Sequence, residues 1–197
     1  MQNLIDAKST SRWTRCLYLP VAAGVAVVLP GAFSVWSHKL LLFASLGPTA
    51  ALMVQEPGHP AADWYNSVVG HALGMLAAYS IVWLLALSST PSIFDQHVIS
   101  WMRVGAAALS LTLAIVLESL ANVYHPPAAS TTLLIALGSF RPTWHDTATI
   151  LVGVAMVTLA AEVLKRLRSS LPSERWRNEA RVVEVKTDEC EPDRTRG

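Results

Sequence analysis

The sequence predicts an all-α fold: a polytopic membrane helix bundle with four full transmembrane helices and two short Pro-started helices, re-entrant or discontinuous, in two internal repeats. Three observations predict it. Charge is segregated: 52% of the 197 residues are hydrophobic and 15% charged, and from position 16 to 164 the only charged residues are Lys39, Glu56, Asp63, Asp95, Arg103, Glu118, Arg141, Asp146 and Glu162. A soluble domain would carry about a quarter charged residues. Four apolar runs are long enough to cross a hydrocarbon core of ~30 Å. Two shorter runs open on prolines, which lack an N–H and are tolerated where a helix starts but not inside one.

The first span is 17–36, 20 residues that follow Lys8, Arg12 and Arg15. It is too long for the apolar core of a signal peptide, and Pro30-Gly31 is expected to kink or end it. After the polar break Ser37-His38-Lys39, the run 40–54 is too short for a standard spanning helix and is interrupted by Gly47-Pro48. Residues 55–65 form a turn-rich loop ending in Trp64-Tyr65, aromatics of the kind that sit at a membrane interface. Asn66 or Ser67 is expected to cap the second span, 67–87. Its Gly70, Gly74 and Ala78 form a small-residue stripe that lets another helix approach closely. A polar stretch, 88–100, leads to the third span, 99–121, with Arg103 at its entrance and Glu118 near its exit. Then comes His125-Pro126-Pro127-Ala128-Ala129-Ser130-Thr131-Thr132, which opens a second short apolar element, 128–138. A loop, 139–146, precedes the last span, 147–164, which Lys165, Arg166 and Arg168 close.

Three segments result: an N-terminal segment, 1–16; a transmembrane domain, 17–168, with halves at about 17–87 and 99–164; and a polar, loosely ordered tail, 169–197. Basic residues at both ends of the domain place both termini in the cytoplasm by the positive-inside bias. The expected location is the plasma (bacterial inner) membrane, crossed an even number of times. The basic residues flank the spans and make no patch suited to nucleic acid. Cys16 and Cys190 give no support for a disulfide.

A shift of about 79 positions lays the first half on the second. Gly47-Pro48-Thr49-Ala50-Ala51 then falls on Pro126-Pro127-Ala128-Ala129-Ser130, and Trp64-Tyr65-Asn66-Ser67 falls, one residue further, on Trp144-His145-Asp146-Thr147. Two such halves would enclose a site between their short helices, as in transporters with interrupted helices at the midplane. If each short element crosses the membrane, the repeat is inverted and has six spans. If each is re-entrant, it is parallel and has four. Both arrangements put the termini on one side.

Ser45-Leu46-Gly47-Pro48-Thr49-Ala50 running on to His59-Pro60 and Gly70-His71, together with His125-Pro126-Pro127-Ala128-Ala129, resembles the HPP family of small integral membrane proteins. The likeness covers roughly 17–164. It implies four transmembrane helices and, because plant plastid members are associated with nitrite transport, carriage of a small inorganic anion.

The residues themselves support an anion site. Helices that begin inside the membrane, one at Gly47-Pro48 and one at Pro126-Pro127, turn N–H groups and positive dipole ends toward one region. Thr49, Ser130, Thr131 and Thr132 add hydroxyl donors, which can instead bond back to their own helix. Glu118, Asn122 and His125 are spaced to share one helix face if the third span continues that far. A carboxylate at membrane depth is a functional candidate, and His125 could shuttle a proton with it. The alternative is Glu118 bonded to Asn122 or Arg103. His71 is either an inward site residue or a packing histidine.

The leading reading is a transporter or channel for a small inorganic anion, nitrite or nitrate by resemblance, working in the lipid bilayer without a cofactor. The competing classes are a structural or assembly subunit and an intramembrane metal enzyme. No His-Glu-x-x-His or comparable ligand pair supports the enzyme. The Gly70 to Ala78 stripe is a candidate contact for a homo-oligomer.

Overall fold

The structure, a computed structural model, describes residues 17–169. The expected loose tail, Cys16 and Cys190 lie outside them. The described residues fold into seven helices and no strand: α1 (Leu19–Ser37), α2 (Leu46–Gln55), α3 (Trp64–Leu84), α4 (Ile93–Gln96), α5 (Trp101–Leu120), α6 (Ala128–Ala136) and α7 (Trp144–Ser169), with a 3-10 turn at Pro60–Ala62. Helices α1, α3, α5 and α7 are long and apolar enough to cross a membrane. At 1.5 Å per residue, α2 and α6 reach only about half of a ~30 Å core.

Local chemistry moves several boundaries. Pro30 does not end α1; the helix runs through it to Ser37, beyond which His38 takes a left-handed conformation (φ 54°). Neither Asn66 nor Ser67 caps α3. Asp63 does, accepting from the Tyr65 amide, so α3 starts three residues before the expected 67. Helix α7 starts at Trp144, also three residues early. Helix α5 stops at Leu120, because Asn122 turns left-handed (φ 52°).

Helix directions follow from contacts between their ends. The Tyr18 hydroxyl donates to the Leu164 carbonyl, and Lys165 donates to the Ala62 carbonyl just before α3. The start of α1, the start of α3 and the end of α7 therefore share one face, here the first face. A Cβ on Gly70, early in α3, would lie 3.5 Å from Glu118, late in α5. Arg103, early in α5, donates to the Leu87 carbonyl just past α3. Thus α1 and α3 both run from the first face to the second, and α5 and α7 both run back.

Two parallel helices cannot be joined without a return. Residues 38–63 must cross from the second face to the first, and residues 121–143 from the first to the second. The chain passes between the faces six times: four times as continuous helix and twice as an extended stretch followed by a short helix. The two short elements are discontinuous crossings, not re-entrant loops, and the two halves run in opposite senses. Aromatic residues mark both faces, as they do at membrane interfaces. Trp36, Trp83, Trp101 and Trp144, all at least 75% exposed, ring the second face, and Trp64, Tyr65 and Tyr124 lie exposed at the first.

The halves are interlocked. Helix α2 packs on α1 and on α7 of the other half; α6 packs on α5 and on α3 of the other half. Glycines make room for this. A Cβ on Gly153 of α7 would collide with the Leu41 carbonyl, and one on Gly70 of α3 would lie 2.8 Å from the His125 Cβ. Gly74 similarly leaves room for Thr132 and the Ala128 carbonyl. In the stripe, Gly70 and Gly74 face the chain's own α6 region, and Ala78 is fully buried as well. The stripe is therefore not available as a contact for a second copy.

Extended backbone inside a bilayer must find partners within the protein. In the first crossing the Ser34 hydroxyl, itself donating to the Pro30 carbonyl, accepts from the amides of Leu41 and Leu42, each at 2.9 Å. At the far end of the second crossing Arg103 is buried and donates to the carbonyls of Ala136, Leu87, Thr90 and Pro91. Its guanidinium thus ties the end of α6 to the chain leaving α3.

Candidate functional site at the junction of the interrupted crossings

The two short helices begin where the two crossings meet. Ser45, immediately before α2, lies with its hydroxyl 2.6 Å from that of Thr131, the fourth residue of α6. Thr49 of α2 approaches His71 Nε2 of α3 at 3.0 Å and His125 Nε2 at 3.4 Å. His71 Nδ1 lies 2.7 Å from the Thr131 hydroxyl, and His125 Nδ1 lies 2.8 Å from the Ala61 carbonyl. The two imidazoles are 5.1 Å apart, ring centre to ring centre. All five side chains are fully buried, so the junction is closed.

The proton positions follow from what each partner can do. A carbonyl only accepts, so His125 carries its proton on Nδ1, and its Nε2 is an acceptor when the ring is neutral. Thr49 has one proton, for which the Ser45 carbonyl (3.1 Å) and His125 Nε2 compete. Thr49 therefore accepts from His71 Nε2–H. His71 Nδ1 accepts from Thr131, and Thr131 accepts from Ser45. The opposite orientation would turn the Thr49 proton to His71 Nε2 and leave both the Ser45 carbonyl and His125 Nε2 without it, and a buried acceptor left unpaired costs about 1–3 kcal/mol. The result is a one-way chain of hydrogen bonds with both histidines neutral, running from Ser45 through Thr131 and His71 to Thr49, while His125 beside it donates to the Ala61 carbonyl.

The family model described as HPP, transmembrane region, matches residues 8–173. The chain belongs to the HPP family. No curated protein and no solved structure matches it. Membership in the HPP family makes this an integral membrane protein and suggests one of transporter- or channel-like kind. The tripeptide that gives the family its name has a distinct task at each residue here. His125 donates to the Ala61 carbonyl beside the hydrogen-bond chain, Pro126 is exposed, and Pro127 is buried at the start of α6.

Of the residues singled out in the sequence, the junction unites Thr49, His71, His125 and Thr131. Gly47 and Pro48 lie in the first turn of α2 but are exposed, and α2 starts one residue earlier, at Leu46. Thr132 bonds back to the Ala128 carbonyl at 3.1 Å, the alternative open to each hydroxyl. Ser130 is half-buried, and its amide donates to the Pro127 carbonyl. The first amides of α6 are not free: Ala128, Ala129 and Ser130 each donate to the carbonyl three residues back.

The expected face of Glu118, Asn122 and His125 does not form, because the helix ends before Asn122. Asn122 is exposed, Glu118 is half-buried beside Gly70, and His125 points into the junction. Glu118 is not paired with Arg103, which lies at the other end of α5. Among the described residues no three His, Cys, Asp or Glu side chains stand together as metal ligands.

Sequence reasoning missed Ser45 and the Ala61 carbonyl. Ser45 had a signal, a serine directly before a Pro-marked helix start. Its hydroxyl serves Thr131 rather than its own helix.

Proposed function

We propose that this HPP protein carries a small inorganic anion, nitrite or nitrate, through the junction of its two interrupted crossings. One observation carries the reading. Two short helices running in opposite senses start against each other inside the bundle, with Ser45 and Thr131 in contact at 2.6 Å. Their positive ends converge on a buried region lined by hydroxyls and imidazoles, which suits an anion without a buried lysine or arginine. Because the first amides of α6 already serve local carbonyls, the ion would engage the helix dipoles and the hydroxyls of Ser45, Thr49 and Thr131. Gly47, Pro48, Pro126, Pro127 and Ser130 shape the two starts, and Glu118 and Asn122 flank them.

Opposed halves of this kind suggest an internal duplication and alternating access, in which one half rocks against the other around a fixed site. The reading includes a plasma (bacterial inner) membrane location. Lys165 and Arg166 lie at the first face, so the positive-inside bias makes that face cytoplasmic. No chemistry on the ion is needed, and the protein is read as a carrier or channel, not an enzyme.

The test is uptake of nitrite and nitrate into vesicles containing the purified protein. Wild-type protein should admit at least one of the two ions. Replacing Pro126 and Pro127 together by leucine should lower uptake about 100-fold, as misplacing a working group by about an ångström does. Unchanged uptake in that variant would count against the site.

A further inference from the structure

We propose, on the basis of the anion-carrier reading, that His71 takes up a proton that travels with the anion, and that this proton switches Ser45 from serving Thr131 to serving the ion. The hydrogen-bond chain carries the inference. His71 Nδ1 lies 2.7 Å from the Thr131 hydroxyl and Nε2 3.0 Å from that of Thr49, and the tautomer assigned above makes neutral His71 an acceptor at the first and a donor at the second. A protonated imidazole has two donors and no acceptor. Thr49 can go on accepting, but Thr131 must turn from donor to acceptor.

The Thr131 hydroxyl proton then points at Ser45 Oγ, 2.6 Å away, and Ser45 becomes an acceptor there. Its own proton is released to turn toward the start of α2, beside Gly47 and Pro48. Protonation thus adds a positive charge to the junction and frees one hydroxyl donor, the two things a small monovalent anion needs. Loss of the proton restores the closed chain and removes both. The proton comes from solution on one face and is released on the other, with no covalent bond made or broken. A proton and a monovalent anion cross with no net charge, which spares the bundle an unpaired ion at membrane depth.

The groups facing His71 fit this role. From the stretch before α6 comes His125, with its Nδ1 proton held by the Ala61 carbonyl. From α5 comes Glu118, which reaches the Gly70 position one residue before His71. Helices α2 and α6 present the hydroxyls of Thr49 and Thr131. Helix α3 meets α7 through the hydroxyl pair Ser67 and Thr158 at 3.1 Å. No lysine or arginine faces the ring among these contacts, so His71 and His125 are the basic groups at the junction.

The experiment loads vesicles containing the protein with a pH-sensitive dye and adds nitrate and, separately, nitrite outside. Nitrate influx should acidify the interior, with about one proton per ion. His71→Gln keeps a donor and an acceptor at that place but does not titrate, and Ser45→Ala removes the switching hydroxyl. Each should lower anion-driven acidification about tenfold or more, with thermal melting of the detergent-solubilised protein close to wild type. Nitrate entry without acidification in the wild-type protein would overturn the proton role and leave the carrier reading standing. Uptake of neither ion would overturn both. Full acidification in Ser45→Ala would overturn the switch even if His71→Gln failed to fold.

Discussion

The two interrupted crossings, 38–63 and 121–143, are alike in backbone and opposite in chemistry. Each leaves a long helix, runs extended past a glycine of the other half's third helix, and then coils into a short helix. Setting the first residues of the short helices on each other, Leu46 on Ala128, puts Thr49 on Thr131 and Phe43 on His125. Gly153 faces Phe43 as Gly70 faces His125. In the first crossing Phe43 packs edge-on against Phe140 at 5.4 Å. In the second, His125 bonds the Ala61 carbonyl and meets His71. One aromatic position thus serves packing in one half and polar contact in the other. The likeness supplies two opposed helix starts, and the difference puts an imidazole beside one of them and a phenyl ring beside the other.

Exchanging the divergent pair breaks the comparison most strongly. His125→Phe would give the second crossing the chemistry of the first and leave the Ala61 carbonyl without its donor. Vesicle uptake of nitrite or nitrate is expected to fall about 100-fold. Phe43→His should leave uptake within a fewfold of wild type and lower stability by about 1–3 kcal/mol, because the new ring buries polar nitrogens against Phe140. Equal losses of uptake in the two variants would mean that the halves are not specialised.

The shared glycines come next. Gly153→Ala pushes a methyl into the Leu41 carbonyl and Gly70→Ala into the His125 Cβ. Both should melt earlier, each losing about 1–3 kcal/mol as overpacked sites do. The effect on uptake should be greater for Gly70→Ala, because the group it displaces is His125. The smallest effect is expected at Thr132, whose hydroxyl serves only its own helix in the contacts seen here. Thr132→Val should melt within about 1 kcal/mol of wild type, whereas Thr131→Val, which cuts Ser45 and His71 apart, should cost about 1–3 kcal/mol.

Much of the fold was legible in the sequence. Charge segregation and run length located all four long helices, since a bilayer demands about 20 apolar residues for each. The motif register was misleading. The 79-position shift sets Gly47-Pro48 on Pro126-Pro127, yet Pro48 lies inside the first turn of α2 and Pro126-Pro127 precede α6. Proline is tolerated anywhere in a turn whose amides have no helical partner, so equal prolines need not mark equal positions. The number of crossings was not legible, because an extended stretch at membrane depth looks like a loop. It is stabilised by distant partners, such as Ser34 for Leu41 and Leu42. Helix-start logic singled out Thr49 and Thr131, which meet at the junction, whereas His125 was singled out for a face shared with Glu118 and Asn122 that does not form. The role of Ser45 depended on its contact with Thr131, 86 positions away, a pairing that no local pattern records.

The central claim is that each half crosses three times, and labelling of single cysteines tests it most directly. In protein with Cys16 and Cys190 changed to serine, cysteine is placed at Gly58, Gln96 or Arg166 and treated with a membrane-impermeant thiol reagent. With six crossings, Gly58 and Arg166 react from the same side of the membrane and Gln96 from the opposite side. Gln96 reacting from the side of Arg166, with Gly58 on the other, would mean four crossings and would contradict the interrupted crossings on which the site depends.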